Sequence, residues 1–234
     1  MTSASSQPTS KAIALTELGN LQTECNQLLA RIKAFSPPDP QTNQYDSTFR
    51  LIATPMLYSV WERAFSMSHA ISLRLIRDVS TSASVLPPER RAIWLVKEPC
   101  YQSFVTRLKT PKSPSDKIKK GEFKTLVDFL GELDNFAASS VPATPTEDLV
   151  MTFSNVNKKV VSLNADALGI SALPQYQAIK FGRLNNLLDW RNDIGHGARI
   201  SPPPNQEFID LIDFTENLVK DYTDLFIDWI TAQF

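Results

Sequence analysis

Residues 205–231 read NQEFIDLIDFTENLVKDYTDLFIDWIT, and this stretch decides the fold class. Phe208, Leu211, Ile212, Leu218, Val219, Tyr222, Leu225, Phe226, Trp229 and Ile230 recur every three or four positions. That is the period of an α-helix with one apolar face; a strand would alternate every second residue. The acids Asp210, Asp213, Glu216, Asp221, Asp224 and Asp228 fall between them. Six carboxylates in a row invite a cation-site reading, but no histidine or loop geometry accompanies them, so a solvated helix face is expected. Ser201-Pro202-Pro203-Pro204 marks where the helix begins.

The same period runs outward through the chain. A first helix is expected over Lys11–Ala34, striped by Leu15, Leu18, Leu21, Leu28, Leu29 and Ile32, and ended by Ser36-Pro37-Pro38-Asp39-Pro40. A second covers Ser47–Val79, burying Leu51, Leu57, Val60, Trp61, Phe65, Ile71, Leu75 and Ile76. Pro55 lies inside it and marks either a kink or the true start, because proline has no N–H for the helix ladder. Ala92–Val96 fits a short helix or a buried strand equally well. Glu122–Phe136 reads as a helix. Ser154-Asn155-Val156 reads as an N-cap opening a helix that closes near Gly169. Pro174–Gly195 is expected as one helix packing Tyr176, Ile179, Leu184, Leu187, Leu188 and Trp190. The sum is an all-α bundle of long antiparallel helices with additional short helices. Residues 1–10 form a flexible tail, 11–234 a single domain, and about 87–121 a basic, insert-like segment.

Composition narrows the function classes. The 234 residues carry a net charge of −1, so any nucleic-acid binding must rest on a local patch. Charge is uneven: ten basic residues face three acidic ones between Arg90 and Lys124, and seven acidic residues face one lysine from Ser201 onward. A polarised surface, pairing between the two regions, or plain solvated faces all fit that pattern. Cys25 and Cys100 are far apart and lack a CxxC neighbour, which argues against a disulfide framework or a zinc site and for a reduced, cytoplasmic protein. Neither a secretory signal nor a membrane-length apolar run is legible. His69 has no ligand-spaced partner and reads as structural.

The stretch Arg191-Asn192-Asp193-Ile194-Gly195-His196-Gly197 carries the chemistry. Arginine is a permanent cation that forks onto phosphate, and histidine moves protons near neutral pH. On a straight helix, positions five apart lie about 140° around the axis, so Arg191 and His196 would diverge. Unwinding at Gly195 and Gly197 would bring them together, as would a site shared between two chains. A plainer reading makes one of these glycines the left-handed residue that ends a helix, with Arg191 and His196 as cations near its negative pole. Asn192 suits either a phosphate contact or the helix cap, and Asp193 either orients the imidazole or faces solvent.

The string Leu188-Asp189-Trp190-Arg191-Asn192-Asp193-Ile194-Gly195-His196-Gly197 resembles the RN-x-x-x-HG form of the R-x4-6-H motif of the HEPN superfamily, in particular its bacterial HEPN-like ribonuclease branch. Gly195 stands where that branch usually has alanine. Leu57-Tyr58-Ser59-Val60-Trp61-Glu62 is similar to the aromatic-Trp-Glu stretch of its early long helix. Ser154-Asn155-Val156-Asn157, leading to Leu168-Gly169-Ile170, resembles the segment before its motif helix. The likeness covers most of the chain from about Ala12, and only Arg191, Asn192, His196 and Gly197 are specific.

The resemblance implies a HEPN-like helical bundle that dimerises with its motifs facing each other, and a metal-independent, cofactor-free endoribonuclease. Arg191 and His196 would be catalytic, with Asn192, Glu62, Asp193, Gly195 and Gly197 in support. It further implies a toxin-like or phage-defence role restrained by an antitoxin or other inhibitory protein. Lys112, Lys117, Lys119 and Lys120 are candidate RNA contacts, though no aromatic stacking platform interleaves with them. The rivals are a HEPN domain acting only as a nucleotide-, RNA- or protein-binding regulatory module, and a structural helical protein whose motif is only a helix end.

Overall fold

The computed structural model describes residues 9–35, 37–107, 120–152, 155–198 and 201–234. Every regular element among them is helical. Three long helices carry the core: α1 (Ser10–Phe35), α2 (Ser47–Val79) and, at the end of the chain, α9 (Asn205–Gln233). Cross-links set their directions. Arg74 pairs with Glu17, and Arg63 with Glu24 at 2.6 Å, so α1 and α2 run antiparallel. Lys33 meets Glu216 at 2.6 Å and Lys11 Nζ donates to the Thr231 carbonyl at 3.0 Å, so α1 and α9 are antiparallel as well.

Aromatic side chains fill the seam between α2 and α9. Trp61, fully buried, meets the Tyr222 ring edge-on with centroids 5.0 Å apart, and Phe49 meets Phe208 at 5.8 Å. Such pairs add roughly 0.5–1.5 kcal/mol each to their burial. Helix α2 starts at Ser47 because the Asp46 carboxylate accepts the Phe49 N–H at 2.9 Å, an N-cap. It continues through Pro55, which is therefore not its start. The missing N–H leaves one carbonyl of the preceding turn without its helical donor, a cost on the order of 3 kcal/mol that the buried face of α2 outweighs.

The middle of the chain is a set of shorter helices: α3 (Pro88–Leu95), α4 (Pro99–Arg107), α5 (Lys120–Ala138), α6 (Lys158–Leu168), α7 (Pro174–Ala178) and α8 (Leu184–Gly195). Short 3-10 turns at Ala83–Val85 and Thr146–Leu149 punctuate them. Ala92–Leu95 is therefore helical, not a strand. Ile93 and Trp94 are its buried pair, and only helical spacing with Arg90 lets one element face both the core and α6. Arg90 donates to the Leu168 carbonyl from Nε (3.1 Å) and Nη2 (2.9 Å), closing the end of α6, and lies 5.5 Å over the Trp229 ring of α9. Helix α4 stacks Phe104 on Phe129 of α5 with centroids 4.1 Å apart.

Two expectations are corrected. The cap of α6 is Asn157, whose side chain accepts the Val160 N–H at 3.0 Å; Ser154 lies outside the described residues. Gly169 closes the helix as expected, in the left-handed conformation (φ 73°). The span 174–195 is not one helix but two, broken at 179–183. Ile179 and Phe181 are both buried there. Two residues apart on a helix they would point about 200° away from each other, so an extended link is what lets both enter the core. The expected RNA contacts Lys112, Lys117 and Lys119 lie outside the described residues, and Lys120 opens α5.

The acids of α9 are more engaged than a solvated face implies. Glu216 pairs with Lys33, Asp210 with Arg183 (2.8 Å) and Asp224 with Lys220 (2.6 Å). The first two tie α9 to α1 and to the start of α8, and the third lies within α9. The link from the basic middle is instead Arg90 on Trp229. Exposed pairs of this kind are screened by solvent and contribute little to stability.

Candidate active site

Helix α8 delivers the motif, and packing fixes its orientation. Leu184, Leu187 and Leu188 are buried, and the Trp190 indole N–H donates to Glu207 Oε1 at 2.8 Å, tying the helix to the first turn of α9. Its last turn ends in a Schellman motif. The Gly197 N–H reaches the Ile194 carbonyl (3.1 Å), the Ala198 N–H reaches that of Asp193 (2.8 Å), and Gly197 is left-handed at φ 69°. Gly195 is still helical, and a Cβ there would meet nothing within 4 Å. Of the two glycines, Gly197 makes the turn. The helix does not unwind early, and His196 follows as an exposed cap residue.

Arg191 points toward α2. Its guanidinium carbon sits 5.2 Å from the centre of the Tyr58 ring, and Nη1 donates to Asn192 Oδ1 at 2.8 Å. A cation at that distance over an aromatic face is attracted by the ring's quadrupole. Tyr58 is itself immobilised: it is 1% exposed, and its oxygen accepts the Val156 N–H at 2.7 Å. The Val156 carbonyl accepts the Trp61 indole N–H at 3.4 Å, so the backbone of this one residue straps across both rings. Burial raises the Tyr58 phenol above its ordinary range; the Val156 amide and Arg191 oppose this and the Glu62 carboxylate reinforces it. Glu62, half-buried one turn along α2, thus stands beside the phenol that carries Arg191.

The structure brings together Arg191, Asn192, Tyr58 and Glu62. His196 caps the same helix end, its backbone N–H bonded to the Asn192 carbonyl at 2.9 Å; with the helix intact to Gly195, it and Arg191 lie about 140° apart around the axis. Among the described residues no hydrogen bond joins Arg191 to His196. Asp193 contributes its carbonyl to the helix end. Tyr58 and Val156 fall in the two family-like stretches of the sequence, but nothing in residue type assigned either to the site. The spacing of Tyr58 and Glu62 by four was the available signal; the Val156 strap had none, since a backbone contact across 98 positions leaves no trace in residue type.

Elsewhere, His69 is buried among Phe65, Tyr222 and Phe226, as its lack of ligand-spaced partners suggested. Cys25 and Cys100 are free thiols, and burial pushes that of Cys25 up to about 11. Among the described residues no group of His, Cys, Asp and Glu is arranged to hold a metal ion, and no helix is long and apolar enough to cross a membrane.

The RiboL-PSP-HEPN family matches residues 20–228 of the chain. This chain belongs to the HEPN family. The match takes in α2, α6 and α8 alike, so the Tyr58–Glu62 face and the motif helix fall within the family region. No curated protein and no solved structure matches the chain. HEPN domains are all-α, as this one is.

Proposed function

We propose that this HEPN chain is a metal-independent endoribonuclease. The RNA 2′-OH attacks the adjacent phosphorus: a 2′-O–P bond forms, the P–O5′ bond breaks, and the products end in a 2′,3′-cyclic phosphate and a 5′-OH. The nucleophile is built into the substrate, so the protein has to supply charge stabilisation and proton transfer. Arg191 serves the first need, facing the non-bridging oxygens as their charge grows. His196 serves the second, either accepting the 2′-OH proton as a neutral base or donating one to the leaving O5′. DNA, lacking the 2′-OH, is not a substrate of this reaction.

The observation that carries this reading is the mounting of Arg191. One of its five N–H groups is committed to Asn192 and its face to Tyr58, which leaves an oriented cation with donors to spare, while His196 stands exposed at the end of the same helix. A residue serving only as a helix-end cation needs no such platform. Two copies arranged about a two-fold axis would place two such pairs together and let their histidines divide the acid and base roles. A cytoplasmic toxin or phage-defence effector, held in check by an antitoxin or inhibitory protein, suits an enzyme of this kind.

Incubating the purified protein with RNA, beside His196→Ala, tests the reading. The wild type is expected to leave 2′,3′-cyclic ends, and the variant to lose at least about 100-fold in rate. Cleavage that survives the substitution, or RNA that stays intact with the wild type, would leave the regulatory binding module as the better reading. Light scattering on the same sample reads the mass; a strict monomer would exclude the shared site.

A further inference from the structure

A cleft of about 670 Å³ opens between α6 and α8, with Lys158, Lys159 and Ser162 on one wall, Asn185 and Asp189 on the other, and Leu188 at its base. Lys158 and Lys159 are exposed, and neither forms an ion pair with a described residue. Asp189 is the one carboxylate among these lining residues. The cleft's α8 wall continues the motif. Asn185, Asp189, Asn192 and His196 follow one another at spacings of four, three and four, so they form a single stripe within about 60° of each other. From position 185 to position 196 that stripe rises about 16 Å. A chain lying along it passes from the two lysines to Asn192, the residue bonded to Arg191, and then to His196.

We propose that this cleft binds the phosphates of single-stranded RNA a few nucleotides from the scissile bond, with Lys158 and Lys159 as the contacting cations. The proposal rests on the ribonuclease reading for its ligand, but not for its geometry. A polar wall with a mobile ammonium pair suits a backbone of variable sequence, since lysine meets phosphate as a point charge and reads no base. Asn185 and Ser162 add neutral donors, while Asp189 disfavours a second phosphate beside it and sets the path along the lysine wall.

The test uses the full chain in the His196→Ala background, so that RNA stays intact, with a fluorescent 20-nucleotide RNA titrated at several salt concentrations. Each phosphate contact on a single strand contributes about 0.7 to the slope of log K against log salt. Lys158→Ala/Lys159→Ala should lower that slope by about 1.4 and weaken binding on the order of tenfold at low salt. Lys158→Arg/Lys159→Arg should restore both. With His196 present, the double alanine variant should raise KM for the 20-mer and leave kcat, and the cleavage of a dinucleotide, unchanged. Equal affinity and slope in wild type and double variant overturn the proposal, as does failure of the parent protein to bind RNA. Lysine-dependent binding without any cleavage would instead sink the ribonuclease reading and leave the cleft standing. Both lysines are exposed, and an unaltered thermal melt excludes misfolding as the cause.

Discussion

Arg191 depends on Tyr58 for more than proximity. The ring carries the guanidinium face, and Asn192 takes one N–H, so the direction of the remaining donors is set before substrate arrives. The two properties of Tyr58 separate by mutation. Tyr58→Phe keeps the ring but orphans the buried Val156 N–H, at a cost of about 1–3 kcal/mol in stability. Tyr58→Leu removes the ring as well, and should reduce kcat/KM by a further 2- to 30-fold or so, the range of a cation–π contact. Cleavage assays corrected for folded fraction by urea titration distinguish the two. If Leu and Phe variants cleave alike, the ring is only core packing.

At the scale of elements, the end of α8 contains two glycines with opposite needs. Gly197 is left-handed, so a side chain there is strained, and Gly197→Ala should cost about 1–2 kcal/mol and disturb the turn that places His196. Gly195 is an ordinary helical position with open space around its Cα. Gly195→Ala should stabilise the protein by roughly 0.5–1 kcal/mol and leave cleavage intact, because alanine loses less backbone freedom in a helix. Thermal melts of the two variants should therefore move in opposite directions. A destabilised Gly195→Ala would mean that the helix opens there in solution.

The whole molecule has its own pH response, built into the core. The His69 Nδ1 lies 3.0 Å from the Phe65 carbonyl, which can only accept, so Nδ1 carries the proton. Nε2 is then a buried acceptor without a partner, and burial lowers the imidazole to about 4 from its ordinary 6.5. The unfolded chain binds this proton more readily than the folded one between those values. Stability is thus full above pH 6.5, falls as pH drops through that window, and levels off below 4. The loss attributable to His69 is about 3 kcal/mol. Urea midpoints at pH 7 and pH 4.5 should differ less in His69→Phe than in the wild type, and an unchanged difference would show that other groups govern acid unfolding.

The class of fold and the place of the motif are legible in the order of residues alone. Long amphipathic periods such as 47–79 and 205–231 are legible because each helix writes its buried face at fixed spacing, whatever it packs against. Arg191 and His196 stood out because two chemically capable residues share one helix end. The rest follows from packing between distant segments. Ile179 and Phe181 break the motif helix because both must enter a core that their local pattern does not describe. Tyr58 lies under Arg191, and the Val156 peptide over Tyr58, through contacts spanning 133 and 98 positions, and spacing rules reach only as far as a few turns of one element. The identity of the turning glycine was likewise open between 195 and 197 until backbone geometry assigned the left-handed residue to Gly197. Residue types declare which chemistry is available, and packing between distant segments decides which side chains can use it.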